Sequence, residues 1–407
     1  MSTEQNPGAV AGGRTLRVAL THTRLSYTGG IEKYIWSLLE RLLAAGHEVH
    51  YIADRFEPLD HPGLTLHRAR MQRFPKLARV RSFNRMVNRV LDGLDVDLVH
   101  GFSKTDRQDI YTDGSGTLIE YLEATEPELP GWRRRAMLRS PHRRAILAME
   151  SARFQRGACR KVIPMAEFVR RQILARYPIE PERVETVHNG VELEVFHPRW
   201  RETVGAKFRE EHRIGPETPV LLNVGNDWRR KGVGPLIEAL PRIESPVAPP
   251  VLLIAGHDNH PERYHARAAE LGVSERVRFL GPVREIRDVF AAADLFVFPT
   301  RYDVFGNVGL EALASGVPSL LSSLAGVSEV LDGTAGGAAI EDPSDVGEIA
   351  ARSTEFLQPE RLAERRAAAR TLAERYSWDA HFERILAIYR EVVAEKEAER
   401  TPEEVGS

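Results

Sequence analysis

A chain of 407 residues is long for one hydrophobic core and predicts two domains. Its composition is that of a folded globular protein, and its lone cysteine, Cys159, excludes a disulfide framework within the chain. No uncharged run approaches the roughly 20 residues of a membrane-spanning helix, and the first fourteen residues lack an apolar signal segment, so a cytoplasmic location is expected.

The net charge is only −2, but it is unevenly spread. Arg68 to Arg89 holds eight Lys/Arg and no acid, and Gly131 to Arg171 holds twelve against two, so the remainder is acidic. Either these are solvated helix faces, or the N-terminal half meets something anionic, such as a membrane surface or a phosphorylated glycolipid. No nucleic-acid-binding motif accompanies the charge, so nucleic acid is not expected as a partner.

Leu16–Leu20 reads as a short buried strand, followed by Gly29-Gly30 and a helical apolar pattern from Ile31 to Leu43 that closes at Gly46. Val49–Ala53 is the next strand. This βαβ order predicts a parallel sheet with right-handed crossovers, and no Gly-x-Gly-x-x-Gly dinucleotide fingerprint is present. An arginine-bearing amphipathic helix spans Leu77–Leu94, and Asp97–Phe102 is a strand leading into Gly101-Phe102-Ser103-Lys104. Asp95-Val96-Asp97 has the form of a metal-binding Asp-x-Asp, but it lies at the entrance to its strand and reads as chance. Lys161–Met165 predicts a strand, Phe168–Tyr177 a helix and Val184–Val187 a strand ending in His188-Asn189-Gly190, where Asn189 reads as a turn residue.

Val220–Val224 is followed by Gly225-Asn226-Asp227-Trp228-Arg229-Arg230-Lys231-Gly232, a strand and a basic loop. Strands at Val251–Ala255, Val277–Leu280, Leu295–Phe298, Ser319–Leu321 and Ala338–Ile340 then alternate with helices. After Leu295–Pro299 comes a loop with Asp303, Phe305, Gly306 and Asn307, then a helical pattern with Val308, Leu310 and Glu311 that stops at Gly316. A glycine there lets the backbone approach a ligand, a helix start offers N–H groups to a phosphate, and two carboxylates can accept sugar hydroxyls. The last helix has Ser377 as N-cap and Phe382, Ile385, Leu386, Tyr389, Val392 and Val393 on one face.

The spacing Asp303-x7-Glu311, with Gly316-Val317-Pro318 and Ala325-Gly326-Val327-Ser328-Glu329, resembles the signature of the retaining glycosyltransferases of family 4. The first acid of that signature is usually Glu, and Asp303 departs from it. The Arg230-Lys231-Gly232 ending and the Gly101–Lys104 loop are similar to the bacterial lipopolysaccharide core glucosyltransferases of that family. Many relatives carry a His after Tyr111 that this chain lacks.

The resemblance implies the GT-B fold, an α/β arrangement of two doubly wound, Rossmann-like parallel-sheet domains facing across a cleft. It implies transfer of a sugar, with retention, from a nucleotide-sugar donor, UDP-linked, to a glycan or glycolipid such as lipopolysaccharide core. Arg230, Lys231 and Asp303 would be catalytic. Gly29, Gly30, Gly225, Val283, Phe305, Gly306, Asn307, Val308 and Glu311 would bind the donor, and Glu32, Lys33 and Lys104 would lie on the acceptor side. No metal and no cofactor are expected, because the basic loop takes the charge of the leaving diphosphate. A nucleotide-sugar 2-epimerase of the same architecture and a non-catalytic sugar-binding relative are the alternatives. The expected layout is a disordered residue 1–15 segment, an acceptor-side domain over 16–198 and a linker over 199–218. A donor domain over 219–376, a helix over 377–395 crossing back to the first domain and a disordered 396–407 tail complete it.

Overall fold

The computed structural model describes residues 14–27, 29–126, 129–155 and 157–400. The chain divides into two compact units, one of residues 1–187 with 382–407 and one of residues 188–381.

In the first unit β1 (Arg17–Thr21), α1 (Gly30–Ala44), β2 (Glu48–Ala53), β3 (Leu64–Arg68), α2 (Lys76–Leu91), β4 (Leu98–Gly101) and β5 (Ile110–Asp113) follow one another. Then come α3 (Leu118–Thr125), α4 (Gly131–Leu138), α5 (Pro141–Arg153), β6 (Lys161–Pro164) and α6 (Glu167–Arg176). The strands are parallel in the order β3-β2-β1-β4-β5-β6. Val18, Leu20, Val49 and Ile52 are fully or almost fully buried, as strands covered on both faces require.

The second unit repeats this plan. It contains α7 (Ala206–Glu211), β7 (Val220–Val224), α8 (Val233–Ala239), β8 (Val251–Ala255), α9 (Glu262–Glu270), β9 (Val277–Gly281) and α10 (Ile286–Ala292). It continues through β10 (Leu295–Phe298), α11 (Asn307–Ala314), β11 (Ser319–Ser322), β12 (Gly337–Ile340), α12 (Val346–Phe356) and α13 (Pro359–Glu374). Its parallel order is β9-β8-β7-β10-β11-β12, the same doubly wound sequence. In each sheet the order reverses beside the first strand, between β1 and β4 and between β7 and β10. Ligands of such sheets bind outside the carboxyl ends of strands at that reversal. Both units are therefore Rossmann-like, as the GT-B type requires.

The final helix α14 (Trp378–Arg400) is capped by Ser377, whose Oγ accepts from the Ala380 N–H at 3.1 Å. From Phe382 on it groups with the first unit, where the Tyr389 hydroxyl meets His100 Nδ1 at 2.7 Å.

Several expectations need correction. Val184–Val187 forms no strand; it touches β6 through one bridge, Val184 to Val162, and two N–H bonds. The first unit ends at Val187 rather than at 198, because His188 pairs with Glu329 and Asn189 bonds Asn307, both in the second unit. The 199–218 segment is not a loose linker: it contains α7, and Arg201 and Arg209 clamp it onto Asp294. The last helix continues past 395 to Arg400, tied down where Lys396 Nζ bonds Asp109 at 2.8 Å. Of the segment expected to be disordered at the start, residues 1–13 lie outside the described residues, and Arg14 pairs with Asp97 at 3.2 Å. Residues 401–407 also lie outside them.

Candidate active site

The second unit's site grows from the loop after β7. Asp227 takes the left-handed region at φ 61°, and its carboxylate accepts from the Arg230 Nε at 3.2 Å. The Trp228 N–H is held by Asp258 at 2.8 Å. Gly232 follows at φ 73°, and a Cβ there would sit 1.9 Å from the Pro299 carbonyl oxygen. Only glycine lets this loop reach the β10 loop so closely. That approach brings the Arg301 N–H to the Arg230 carbonyl at 2.8 Å, and the Thr300 hydroxyl to the same oxygen at 3.0 Å.

Three of the expected catalytic side chains meet there. Lys231 Nζ bonds Asp303 Oδ2, and an Arg230 guanidinium nitrogen lies 3.4 Å from the same oxygen and 3.0 Å from the Tyr302 carbonyl. Lys231 is buried and its ammonium stands 4.5 Å from the centre of the Phe298 ring. Burial alone would raise the Asp303 carboxyl, but Lys231 and Arg230 outweigh it and hold its pKa below the usual value. Gly225, at the start of the loop, packs against the Lys231 stem.

The Asp303 loop is itself pinned. The Asp303 N–H donates to the Leu324 carbonyl at 3.1 Å, and the Gly326 N–H returns to the Asp303 carbonyl at 3.1 Å. Phe305 is buried, with its carbonyl taken by the Val327 N–H at 2.6 Å. Gly306, at φ 90°, turns the chain into α11 where a Cβ would press on Phe298 at 3.0 Å. Asn307 and Val308 form the first turn of that helix, and Glu311 lies half-buried in the second. Asn189, read from the sequence as a turn residue, is buried and donates from Nδ2 to Asn307 Oδ1 at 2.7 Å. Its position in an Asn-Gly turn masked that reach.

Val283 is placed apart from this cluster. It lines a 610 Å³ pocket with Phe279, Pro282 and His265, and none of Arg230, Lys231 or Asp303 lines that pocket.

In the first unit, Gly29 and Gly30 open α1, with the Gly29 carbonyl accepting from the Lys33 N–H at 3.1 Å. Lys33 is exposed. Glu32 stands 3.9 Å from His22, whose nearness holds the Glu32 pKa below its usual value. His22 Nδ1 in turn meets the Ser103 hydroxyl at 2.9 Å. Lys104 is half-buried on the loop after β4, and burial lowers its pKa. Sequence reading missed His22, although its place just past the carboxyl end of β1 is a usable signal. Asp95 and Asp97 pair with Arg17, and Asp97 Oδ2 accepts the Arg17 N–H at 2.7 Å, so that pair serves the sheet. Among the described residues no group of three or more His, Cys, Asp or Glu is arranged to hold a metal ion.

Comparison with known proteins agrees with this fold. Residues 28–106 match the glycosyltransferase family 4 model and residues 205–373 the model for glycosyl transferases group 1. The chain is 25% identical over 315 residues to the lipopolysaccharide glucosyltransferase WaaG of Escherichia coli (strain K12), covering 77% of this chain and 82% of the relative. It is 31% identical over 235 residues to D-inositol 3-phosphate glycosyltransferase 1 of Catenulispora acidiphila, 54% of this chain and 55% of that one. The crystal structure of WaaG superposes with a TM-score of 0.79 at 23% identity, covering 91% and 99% of the two chains. Anabaena Alr3699/HepE in complex with UDP and glucose does so at 0.70 and 16%, covering 92% and 100%. With both sheets doubly wound and both models matched in order, the chain belongs to the family 4, group 1 glycosyltransferases.

Proposed function

We propose that the protein transfers a sugar, with retention, from a UDP-linked donor to a glycan or glycolipid acceptor such as lipopolysaccharide core. The observation that carries this reading is the convergence of Lys231 and Arg230 on Asp303 at the carboxyl ends of β7 and β10. Two cations sharing one carboxylate oxygen can move to a stronger anion. An arriving diphosphate draws Arg230 and Lys231, and the freed Asp303 carboxylate accepts hydroxyls of the donor sugar. As the glycosidic bond breaks, the same two groups stabilise the charge that gathers on the leaving diphosphate without a metal ion. That phosphate takes the acceptor's proton on the face it leaves, which preserves the anomeric configuration. The names of WaaG and of the UDP-bound HepE structure support the donor and acceptor classes.

The enzyme works on the cytoplasmic face of an anionic membrane in this reading. α4 buries no residue and carries Trp132, 66% exposed, beside Arg133, Arg134 and Arg135. An amphipathic ring flanked by arginines suits the interface of an anionic bilayer. No described helix is long and apolar enough to cross a membrane.

A panel of nucleotide sugars, assayed by released nucleoside diphosphate with and without lipopolysaccharide core, tests the transferase reading. Acceptor-stimulated release from a UDP-sugar, with an α-linked product from an α-linked donor, is the expected result. Interconversion of the donor without release would instead identify an epimerase. Flotation with vesicles containing anionic lipid should show binding that weakens as salt rises; equal binding to neutral vesicles would remove the membrane from the proposal.

A further inference from the structure

A pocket of 370 Å³ opens in the first unit beyond the carboxyl ends of β1, β4 and β5. Met71, Val80, Phe83 and Phe102 make one side of it apolar, while Lys104, Arg79 and His142 bring basic groups to the other. No acidic side chain lines it. Lys104 is half-buried, yet its ammonium makes no hydrogen bond or ion pair among the described residues, and neither does the Arg79 guanidinium. An ammonium withdrawn from water without a partner is costly, so the site is poised to take one.

The residues behind Lys104 explain its placement. Asp113 is 1% exposed, and its Oδ1 accepts from the Ser115 and Gly116 N–H groups at 3.2 and 3.1 Å. Its Oδ2 is buried with no hydrogen-bond partner. Glu150, also buried, takes the Leu118 N–H and the Tyr177 hydroxyl. Burial, and then the Arg153 guanidinium, lower the Lys104 pKa, while Glu150 and Asp113 attract its ammonium without bonding it, which leaves its N–H groups for a ligand. A second pocket shares Thr23, Met71 and Arg79 with the first and adds Arg24, Arg55 and Arg73 together with the acids Glu32 and Asp54.

We propose that this pocket is an acceptor subsite for a phosphomonoester carried on an apolar group. The phosphate meets Lys104 and Arg79, and the attached group lies along Met71, Val80, Phe83 and Phe102. The inference rests on reading the first unit as the acceptor side, and it adds that the acceptor is anionic next to an apolar moiety. A phosphate is favoured over a sugar hydroxyl because the lining brings the Lys104 and Arg79 cations and no carboxylate, whereas Asp113 is shut behind them.

Calorimetric titration of the full chain with n-hexyl phosphate, inorganic phosphate and the neutral n-hexyl glucoside tests this. The donor loop also carries cations, so the binding that counts is what Lys104→Gln removes. Hexyl phosphate should bind at least about tenfold more tightly than either other probe. Lys104→Gln should lose about tenfold and Lys104→Arg should retain the affinity, which excludes misfolding as the cause. Equal binding of the glucoside, or wild-type affinity in Lys104→Gln, overturns the phosphate. Inorganic phosphate binding as tightly as hexyl phosphate overturns the apolar half. Failure of the transferase reading would show separately, as no donor turnover in the panel, with this binding intact.

Discussion

The two ends of β10 carry the same chemistry for opposite purposes. Asp294 precedes the strand and Asp303 follows it, and both are carboxylates surrounded by cations. Asp294 is 5% exposed and saturated on both oxygens: Arg201 and Arg366 meet Oδ1, and Arg209 and the Val220 N–H meet Oδ2. Arg209 spends its remaining donors on the carbonyls of Ala292, Gly215, Pro216 and Thr218. At Asp303, by contrast, Lys231 and Arg230 crowd one oxygen, and Arg230 is also shared with Asp227. A saturated cluster has nothing to offer a ligand and fastens 199–218 to the sheet. The crowded one can exchange partners, and it lies at the end of the sheet where ligands bind.

Breaking each cluster should therefore have different consequences. Asp294→Ala leaves three arginines facing one another without their carboxylate. Removing one partner of a buried ionic cluster costs about 3–5 kcal/mol, which should lower the melting temperature by about 10 °C. A thermal melt that matches wild type would show the cluster to be dispensable.

Lys231→Ala should do the reverse. Asp303 keeps Arg230, so the melt should shift only slightly, while turnover falls by roughly a hundredfold or more, the scale of losing one oxyanion-stabilising donor. Wild-type turnover should survive a chelator. An active Lys231→Ala protein, or activity lost with the metal and restored by it, would break the assignment of the loop.

On the proposed donor-site reading, Asp303 and Glu311 should separate kinetically. Asp303→Asn misplaces the anomeric carbon, and small misplacements cost rate steeply, on the order of a hundredfold in kcat. We propose that Glu311 holds the donor ribose; Glu311→Gln should then remove binding made equally in ground and transition states, raising the donor KM and leaving kcat near wild type. Circular dichroism first establishes that both variants fold. Unchanged kinetics in both would remove the donor site from this loop.

Most of the frame was legible because parallel strands buried on both faces are apolar runs, and the switch-point loops follow them directly. Val220–Val224 and Val251–Ala255 have the bounds read from sequence. β3, Leu64–Arg68, was missed: it lies at the sheet's edge, none of its residues is fully buried, and its sequence reads Leu-Thr-Leu-His-Arg. α4 was missed for a related reason, since a helix that buries nothing leaves no apolar stripe. In the candidate cluster, Arg230, Lys231 and Asp303 could be named through the family resemblance, helped by the basic loop after its strand. Their mutual contact, and the Asn189 bond to Asn307, depend on tertiary closeness across 72 and 118 residues that no local pattern encodes.

The smallest effect expected distinguishes the two units by pH. Asp294 and Asp303 are held below their usual pKa: burial would raise each, but Arg201 and Arg209 for the first and Lys231 and Arg230 for the second prevail. A carboxyl with a depressed folded pKa contributes stability that is complete above its unfolded value, about 3.9, and is lost only as pH falls through the folded one. Down to about pH 5 the second unit's clusters should hold. In the first unit, burial depresses His47, His50 and His67, with Arg390 adding to the effect at His47, Arg17 at His50 and His50 at His67, while Glu48 opposes it at His50. His50 Nδ1 and His67 Nε2 share a hydrogen bond at 2.9 Å, which needs at least one unprotonated ring, and His47 Nδ1 must stay unprotonated to accept the Leu16 N–H at 3.1 Å. These rings bind protons more readily when unfolded, so stability should decline as pH falls from about 6.5 towards their lowered values. Comparing pH 7.5 with pH 5.0, hydrogen exchange should quicken in β1, β2 and β3 and not in β7 or β10. The melting temperature should fall by a few degrees, and by less in a His50→Asn, His67→Asn double variant. Equal acceleration in both sheets would place the acid sensitivity outside these histidines.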